Sequence, residues 1–197
     1  MGHVQSALKF AADLAAVRAQ AGLGPAADAA IAGLTGVPEA LARLEASGWA
    51  GEAARLAAFA LPRREAVWWA CMCARHTLPP TPPAAAAGLL EATEAWVRRP
   101  TDEARRATMA LAEAGPMDTP EAWAAVGAFW SGESMAPPGA PVVPPAPHLA
   151  GTAVAGAVAL AAVRGDARRQ AARLARFLDS ARDIAGGGAG RLDVEAG

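Results

Sequence analysis

Apolar side chains recur at helical spacing along almost the whole of this 197-residue chain, and we find no convincing strand-like alternation. Trp49, Ala53, Leu56 and Ala60, for example, follow the i, i+4, i+7, i+11 spacing of one helix face. Prolines at residues 79–83 interrupt the pattern, because a proline disfavours the helical conformation of the residue before it. The pattern predicts an all-α fold, a compact bundle of about eight to ten short helices.

Several helix starts carry recognisable signals. Thr101 and Thr119 are residue types that favour the N-cap position, and Pro120 suits the first turn of the helix that follows Thr119. Asp102 and Arg106 have the i, i+4 spacing of an ion pair on one helix face. These signals predict two helices that begin directly after the threonines.

The chain is predicted to form a single all-α domain over residues 1–185, with residues 1–60 compatible with an N-terminal helical lobe. Residues 131–147 are rich in proline and glycine, which predicts an extended connector before the last two helices. A run of three glycines begins at residue 186, so we expect the last helix to end there. Residues 186–197 are then expected to be a disordered tail.

Charge and hydropathy exclude two classes of protein. The formal net charge is −1, with acidic and basic residues interleaved, which argues against nucleic-acid binding. The most apolar segment, residues 149–163, is shorter than the roughly 20 residues that a membrane span needs. The N-terminal residues lack the apolar run of a secretory signal. We therefore expect a soluble, cytoplasmic protein.

Residues 61–76 concentrate the distinctive side chains: two of the six tryptophans, both cysteines and one of the three histidines. Cys71 and Cys73 are two residues apart, so on a helix their sulfurs point about 200° apart. They are not expected to form a mutual disulfide or share a metal ion, and no second Cys or His pair completes a zinc site. Buried, unreactive thiols are predicted, with no metal and no cofactor.

The same helix gives two interpretations of its tryptophans. Trp68 and Trp69 either anchor two faces of a central helix in the core, or leave one ring exposed beside arginines as a protein-binding hot spot, where Trp and Arg are enriched. The candidate interaction residues are Arg64, Trp68, Arg75, His76 and His148.

No residue pattern demands an enzyme. The chain has no glycine-rich phosphate loop that opens a helix and no nucleophile elbow. His148 opens a predicted helix, where the positive helix end favours a neutral imidazole, but such a histidine more often caps or packs. The leading hypothesis is a non-enzymatic protein with a protein partner. The alternative is a small enzyme or ligand-binding protein with a pocket near His76 and His148.

Four motifs together carry a family resemblance: the run at 61–76, Glu-Ala-Trp-Val at 94–97 before Pro100, Phe-Trp-Ser-Gly at 129–132, and Pro-His-Leu at 147–149 followed by Ala-Val-Ala-Gly at 153–156. The chain resembles, over about residues 61–178, a bacterial family of small helical proteins of unknown activity associated with type VI secretion loci. The resemblance implies an accessory role, as an adaptor, chaperone or assembly factor for secreted cargo, and assigns no catalytic residue.

Overall fold

The computed structural model describes residues 9–10 and 13–195, and 65% of these residues are helical, with no strand among them. The predicted all-α fold is confirmed. Residues 1–8, where the sequence predicts no signal segment, lie outside the described ranges. The last two residues of the predicted tail also lie outside them. The helices are α1 (Leu14–Ala21), α2 (Pro25–Ala30), α3 (Val37–Ala46), α4 (Ala50–Ala60), α5 (Arg63–His76), α6 (Ala84–Arg98), α7 (Asp102–Glu113), α8 (Pro120–Trp130), α9 (Leu149–Val163) and α10 (Gln170–Ala185), with a 3-10 turn at Ala167–Arg169.

Side-chain caps define three of the helix starts. The Thr101 hydroxyl accepts a hydrogen bond from the Ala104 amide, and the Thr119 hydroxyl accepts one from the Ala122 amide, both at 3.2 Å. Both predicted N-caps are confirmed. The Asp13 carboxylate caps α1 by accepting a hydrogen bond of 3.1 Å from the Ala16 amide.

Helix α9 lies at the centre of the bundle, where it packs on α4, α5 and α8. Ala153, Ala157 and Ala161 recur every four residues and are fully buried, and small side chains at this spacing allow a neighbouring helix to approach closely. On the facing helix α8, a Cβ placed on Gly127 would lie only 3.2 Å from a methyl group of Val154. The small residues therefore set the short distance between α8 and α9.

Helix α5 is the other central element, because it contacts α4, α6, α8, α9 and α10. The buried side chains of α1, α3 and α4 belong to the same hydrophobic cluster as those of α5, α9 and α10. Residues 14–60 thus share their core with the rest of the bundle. The face of α5 that no helix covers becomes the candidate site described below.

The connector at residues 131–147 contains no helix and is held by specific bonds at its start. Arg105 on α7, itself 3% exposed, donates a hydrogen bond of 2.8 Å to the Ser134 carbonyl oxygen. The Ser134 hydroxyl accepts from the Val143 amide at 3.1 Å, and the Met135 amide donates to the Val143 carbonyl oxygen at 2.8 Å. These bonds fold the first part of the connector back on itself.

Within the described residues, no single helix has the length and apolar character to cross a membrane. One pair, α9 with residues 167–185, meets the length and composition requirement jointly, but the two parts are bent by 115°.

Candidate functional site

The two adjacent tryptophans of α5 have different environments. Trp69 is 0% exposed, and its indole Nε1–H donates a hydrogen bond of 2.7 Å to the Phe177 carbonyl oxygen on α10. Trp68 is half-buried, and its Nε1–H donates a bond of 2.7 Å to the carbonyl oxygen of Ala189, which lies beyond the last helix. Neighbouring helical residues point about 100° apart, so one ring enters the core while the other faces the uncovered side of α5.

A buried carboxylate organises the charges beside Trp68. The Glu94 side chain on α6 is 5% exposed and accepts hydrogen bonds from both Arg75 and Arg98, the latter at 3.0 Å. The hydrogen bond that Arg75 donates to Glu94 also raises the pKa of Arg75. The Arg98 guanidinium lies 5.5 Å from the centre of the Trp68 ring, within cation–π range. Arg75 is therefore committed to an ion pair, while the face of Trp68 is covered by a side chain that is mostly exposed.

The chain that follows α10 is bonded back to that helix by side chains of α10. The Ser180 hydroxyl donates to the Gly190 carbonyl oxygen at 2.6 Å, and the Asp183 carboxylate accepts from the Gly190 amide at 2.7 Å. Gly190 has a φ of +59°, and a Cβ there would overlap the Ile184 side chain. The glycines that suggested flexibility instead permit a tight reversal that side-chain-bearing residues would obstruct.

From this turn, residues 189–195 run along α5 as an extended segment, which we call the C-terminal strap. Ala189 is bonded to Trp68 near the middle of α5, and the Asp193 carbonyl oxygen accepts a hydrogen bond from His76 Nδ1 at the helix end. Four extended residues span about 13 Å, close to the 12 Å that eight helical residues cover. The Glu195 amide then donates to the His76 carbonyl oxygen at 2.8 Å.

The strap ends in a carboxylate held by arginines. Arg173 of α10 is 5% exposed and donates to the Glu195 carboxylate at 2.6 Å, and Arg169 lies 3.3 Å from it. The hydrogen bond from Arg173 holds the pKa of Glu195 below its usual value. Arg173 also donates to the Ala162 and Arg164 carbonyl oxygens, so its position is fixed by the end of α9. The site that receives Glu195 is thus preformed by the helices.

His76 is the most buried polar group under the strap, at 1% exposure. A carbonyl oxygen only accepts hydrogen bonds, so Nδ1 carries the proton that it shares with Asp193. The other ring nitrogen, Nε2, is buried and has no hydrogen-bond partner among the described residues. The ring also contacts Phe177 edge-on, with 5.8 Å between ring centres. The strap therefore provides a hydrogen-bond partner for only one of the two ring nitrogens of His76.

We define the strap groove as the surface beneath the strap, formed by Trp68 and His76 of α5 and by Arg173 and Ser180 of α10, with Arg169 at its end. The groove unites two of the five candidate interaction residues. Sequence reasoning missed Glu94, Arg173, Ser180 and the strap itself. One sequence signal could have indicated the end of this site. Arg169 and Arg173 have i, i+4 spacing, and a segment near the end of the sequence carries the acidic residues with which such a basic pair could interact.

The other predicted interaction residues lie apart from the groove's polar contacts. Arg64 is exposed and makes no hydrogen bond or ion pair with the described residues. His148 is exposed at the start of α9 and makes no side-chain cap bond. His76 lies near the opposite end of α9, because Arg164, which ends that helix, donates to the Ala74 carbonyl oxygen. A helix of 15 residues is about 22 Å long, so His76 and His148 do not line one pocket.

Both cysteines are fully buried in the regular helix α5 and form no disulfide. Burial raises the pKa of the Cys71 thiol and of the Cys73 thiol, because the low-dielectric interior disfavours the thiolate. In the described ranges no three His, Cys, Asp or Glu side chains are grouped to hold a metal ion. The burial of both thiols therefore fits a packing role for the two cysteines and does not favour a reactive thiol.

A cleft of about 410 Å³ adjoins the end of the strap. One wall is apolar and comes from the α5–α6 linker, including Leu78, Pro79 and Pro83, while Arg173 and Glu195 form part of the other wall. Glu121 in this cleft is 1% exposed and accepts two bonds of 2.6 Å from Arg164. The charged groups around the cleft are thus engaged with one another.

No curated protein and no solved structure matches this chain significantly. One family model matches residues 40–185, which reach from within α3 to the end of α10 and include every helix that forms the strap groove. The strap lies beyond the matched residues. Because the match covers most of the chain, the protein belongs to DUF6931, a family of unknown function.

Proposed function

We propose that this chain is a non-enzymatic, protein-binding accessory of a bacterial type VI secretion system, acting in the cytoplasm as an adaptor, chaperone or assembly factor. The observation that carries the protein-binding part is the strap groove, since α5 and α10 already hold an extended polypeptide. The type VI part is supported by the motif resemblance over residues 61–178 alone. Trp68 is the side chain we assign as the centre of the binding face.

The kind of contact in the groove favours a protein ligand over a small molecule. Trp68, Ser180 and His76 all direct hydrogen bonds at backbone carbonyl oxygens of the strap. Backbone carbonyls recur in every polypeptide, so side chains arranged in this way bind extended chains of many sequences. Trp68 adds apolar area with a polar tip, a combination enriched where proteins bind one another.

A ligand-binding or enzymatic role is the second candidate, favoured by the cleft beside Thr77. Its apolar wall and convergent charged groups are features of small-molecule sites. The buried ion pair of Glu121 and Arg164 leaves neither group available as a free acid or base. A small molecule retained in native mass spectrometry of the purified protein would favour this candidate.

The test is affinity purification from the native host with wild-type and variant chains. We expect wild type to capture a component or cargo of the secretion machinery, and Trp68→Ala to lose that capture, because truncating a central interface tryptophan typically costs 2 kcal/mol or more, roughly 30-fold in affinity. Trp49→Ala is the matched control, since Trp49 is also partly exposed, at 40%, but lies at the start of α4.

Each variant is compared at equal soluble concentration, after circular dichroism has established that it is folded. Equal capture by wild type and Trp68→Ala would contradict the assignment of the binding face. Capture through Trp68 of proteins unrelated to secretion would contradict the type VI part and leave the protein-binding part standing.

A further inference from the structure

The strap has two kinds of contact with its groove. The first kind uses the strap backbone: the carbonyl oxygens of Ala189, Gly190 and Asp193 accept bonds, and the Glu195 amide donates one. The second kind uses strap side chains. Leu192 packs against the core cluster, and Glu195 pairs with two arginines. The second kind depends directly on which side chains the strap carries.

The inward side chains follow the alternation of an extended segment. Gly190 is buried and Leu192 is partly buried, whereas Arg191 and Asp193 are exposed. At Gly190 the groove has no room for a side chain, because a Cβ would overlap Ile184. Any chain that replaced the strap would therefore need a small residue, then an aliphatic one two positions later, then an acid three positions after that.

The strap is also an incomplete ligand for its groove. His76 Nε2 is buried with no partner among the described residues, although the strap lies directly against the same ring. A buried polar atom without a hydrogen-bond partner is unfavourable, so the bound strap leaves part of the groove's binding capacity unused. A chain that places a donor near Nε2 gains what the strap lacks.

From these contacts we infer that the strap is a built-in occupant of a peptide-binding groove, and that an extended segment of a partner protein with the pattern small-x-aliphatic-x-x-acidic displaces it. The inference rests on the proposed protein-binding role and gives the partner's chemistry. The partner's acid takes the place of Glu195 on Arg169 and Arg173, and its aliphatic residue takes the place of Leu192. Displacement also reopens the cleft beside Thr77, whose wall includes Glu195.

Because the strap is part of the same chain, it competes strongly with a free peptide for the strap groove. A short intramolecular connection gives an effective concentration of about 1 mM or more, so a free peptide of equal affinity binds the wild-type chain weakly. The apparent affinity is reduced by the fraction of molecules in which the groove is open. Substitutions that weaken the strap's contacts with the groove are therefore expected to strengthen the binding of an added peptide.

The experiment uses the full chain and a fluorescein-labelled synthetic peptide with the sequence of residues 187–197. Binding is measured by fluorescence anisotropy to wild type, to the inward variant Leu192→Ala/Glu195→Ala, and to the outward control Arg191→Ala/Asp193→Ala. We expect the inward variant to bind at least about tenfold more tightly than wild type, and the outward control to bind like wild type. A peptide in which alanine replaces Leu192 and Glu195 is expected to bind at least about tenfold more weakly to the inward variant.

The single variant Glu195→Lys serves if the double variant fails to fold, because it reverses the charge opposite two arginines and keeps Leu192. Folded variants that bind the peptide no better than wild type, or that bind the alanine-substituted peptide equally well, would overturn the inference. Trp68-dependent capture from the host without peptide exchange would mean that this inference alone is wrong. Peptide exchange without any Trp68-dependent capture would instead contradict the proposed function.

Discussion

At the scale of single residues, the environment of a tryptophan is decided by which direction it points from α5. Trp69 points into the junction with α10, where its ring is fully buried and its N–H is bonded. Trp68 points to the side where the strap and Arg98 contact its ring. The two sequence interpretations, core anchor and exposed hot spot, thus describe neighbouring residues on one helix.

Replacing each tryptophan by alanine separates these environments. We expect Trp69→Ala to lower the free energy of unfolding by about 3–5 kcal/mol, the usual cost of truncating a buried aromatic residue. Trp68→Ala is expected to cost about 1–2 kcal/mol, because part of its ring is already in water. Urea denaturation followed by circular dichroism measures both. Equal losses for the two variants, or a Trp69→Ala chain as stable as wild type, would contradict the central position of α5.

At the scale of elements, the helices were predictable and the strap was not. Thr101 and Thr119 act locally through hydrogen bonds three residues along the chain, so sequence spacing is sufficient to find such caps. The strap depends on contacts between residues more than a hundred positions apart, such as Ala189 with Trp68. Glycines before it are compatible with either a flexible tail or a tight turn. Only the position of Asp183 and Ser180 on α10 decides for the turn.

The charge of Glu195 makes strap docking sensitive to acid. Its pKa is lower in the docked strap than in a free strap, because the hydrogen bond from Arg173 favours the carboxylate. The stabilisation is therefore fully present above the free value of about 4.3 and is lost as the pH falls through the docked value. We expect the indole N–H signal of Trp68 in a ¹H–¹⁵N NMR spectrum to shift over this acidic range.

In Glu195→Gln this acidic step is expected to disappear, whereas Asp193→Asn keeps it, because the Asp193 side chain is exposed and only its backbone is bonded. The signal is assigned from its loss in Trp68→Phe. An unchanged titration in Glu195→Gln would show that this carboxylate does not hold the strap.

At the scale of the whole molecule, one hydrophobic cluster links the N-terminal helices to α5, α9 and α10, and the strap closes over the face that remains. The all-α fold followed from periodicity, because the longer helices, such as α3 and α4, bury apolar residues at the spacing seen in the sequence. The site did not follow, because it is assembled from α5, α10 and the chain end. His148 shows the same limit, since a helix start that looks suited to chemistry lies at the other end of α9 from the Arg164 contact with the end of α5, where His76 lies.

The central claim is that residues 189–195 occupy a groove on α5 and α10 in the folded protein. Amide hydrogen exchange resolved to single residues tests it most directly, because the Gly190 amide is bonded to Asp183 and the Glu195 amide to His76. We predict that both amides exchange at least about tenfold more slowly than in the isolated peptide, since each must open before it exchanges. Exchange of both at the rate of the isolated peptide, in a chain whose α5 amides remain protected, would contradict the account.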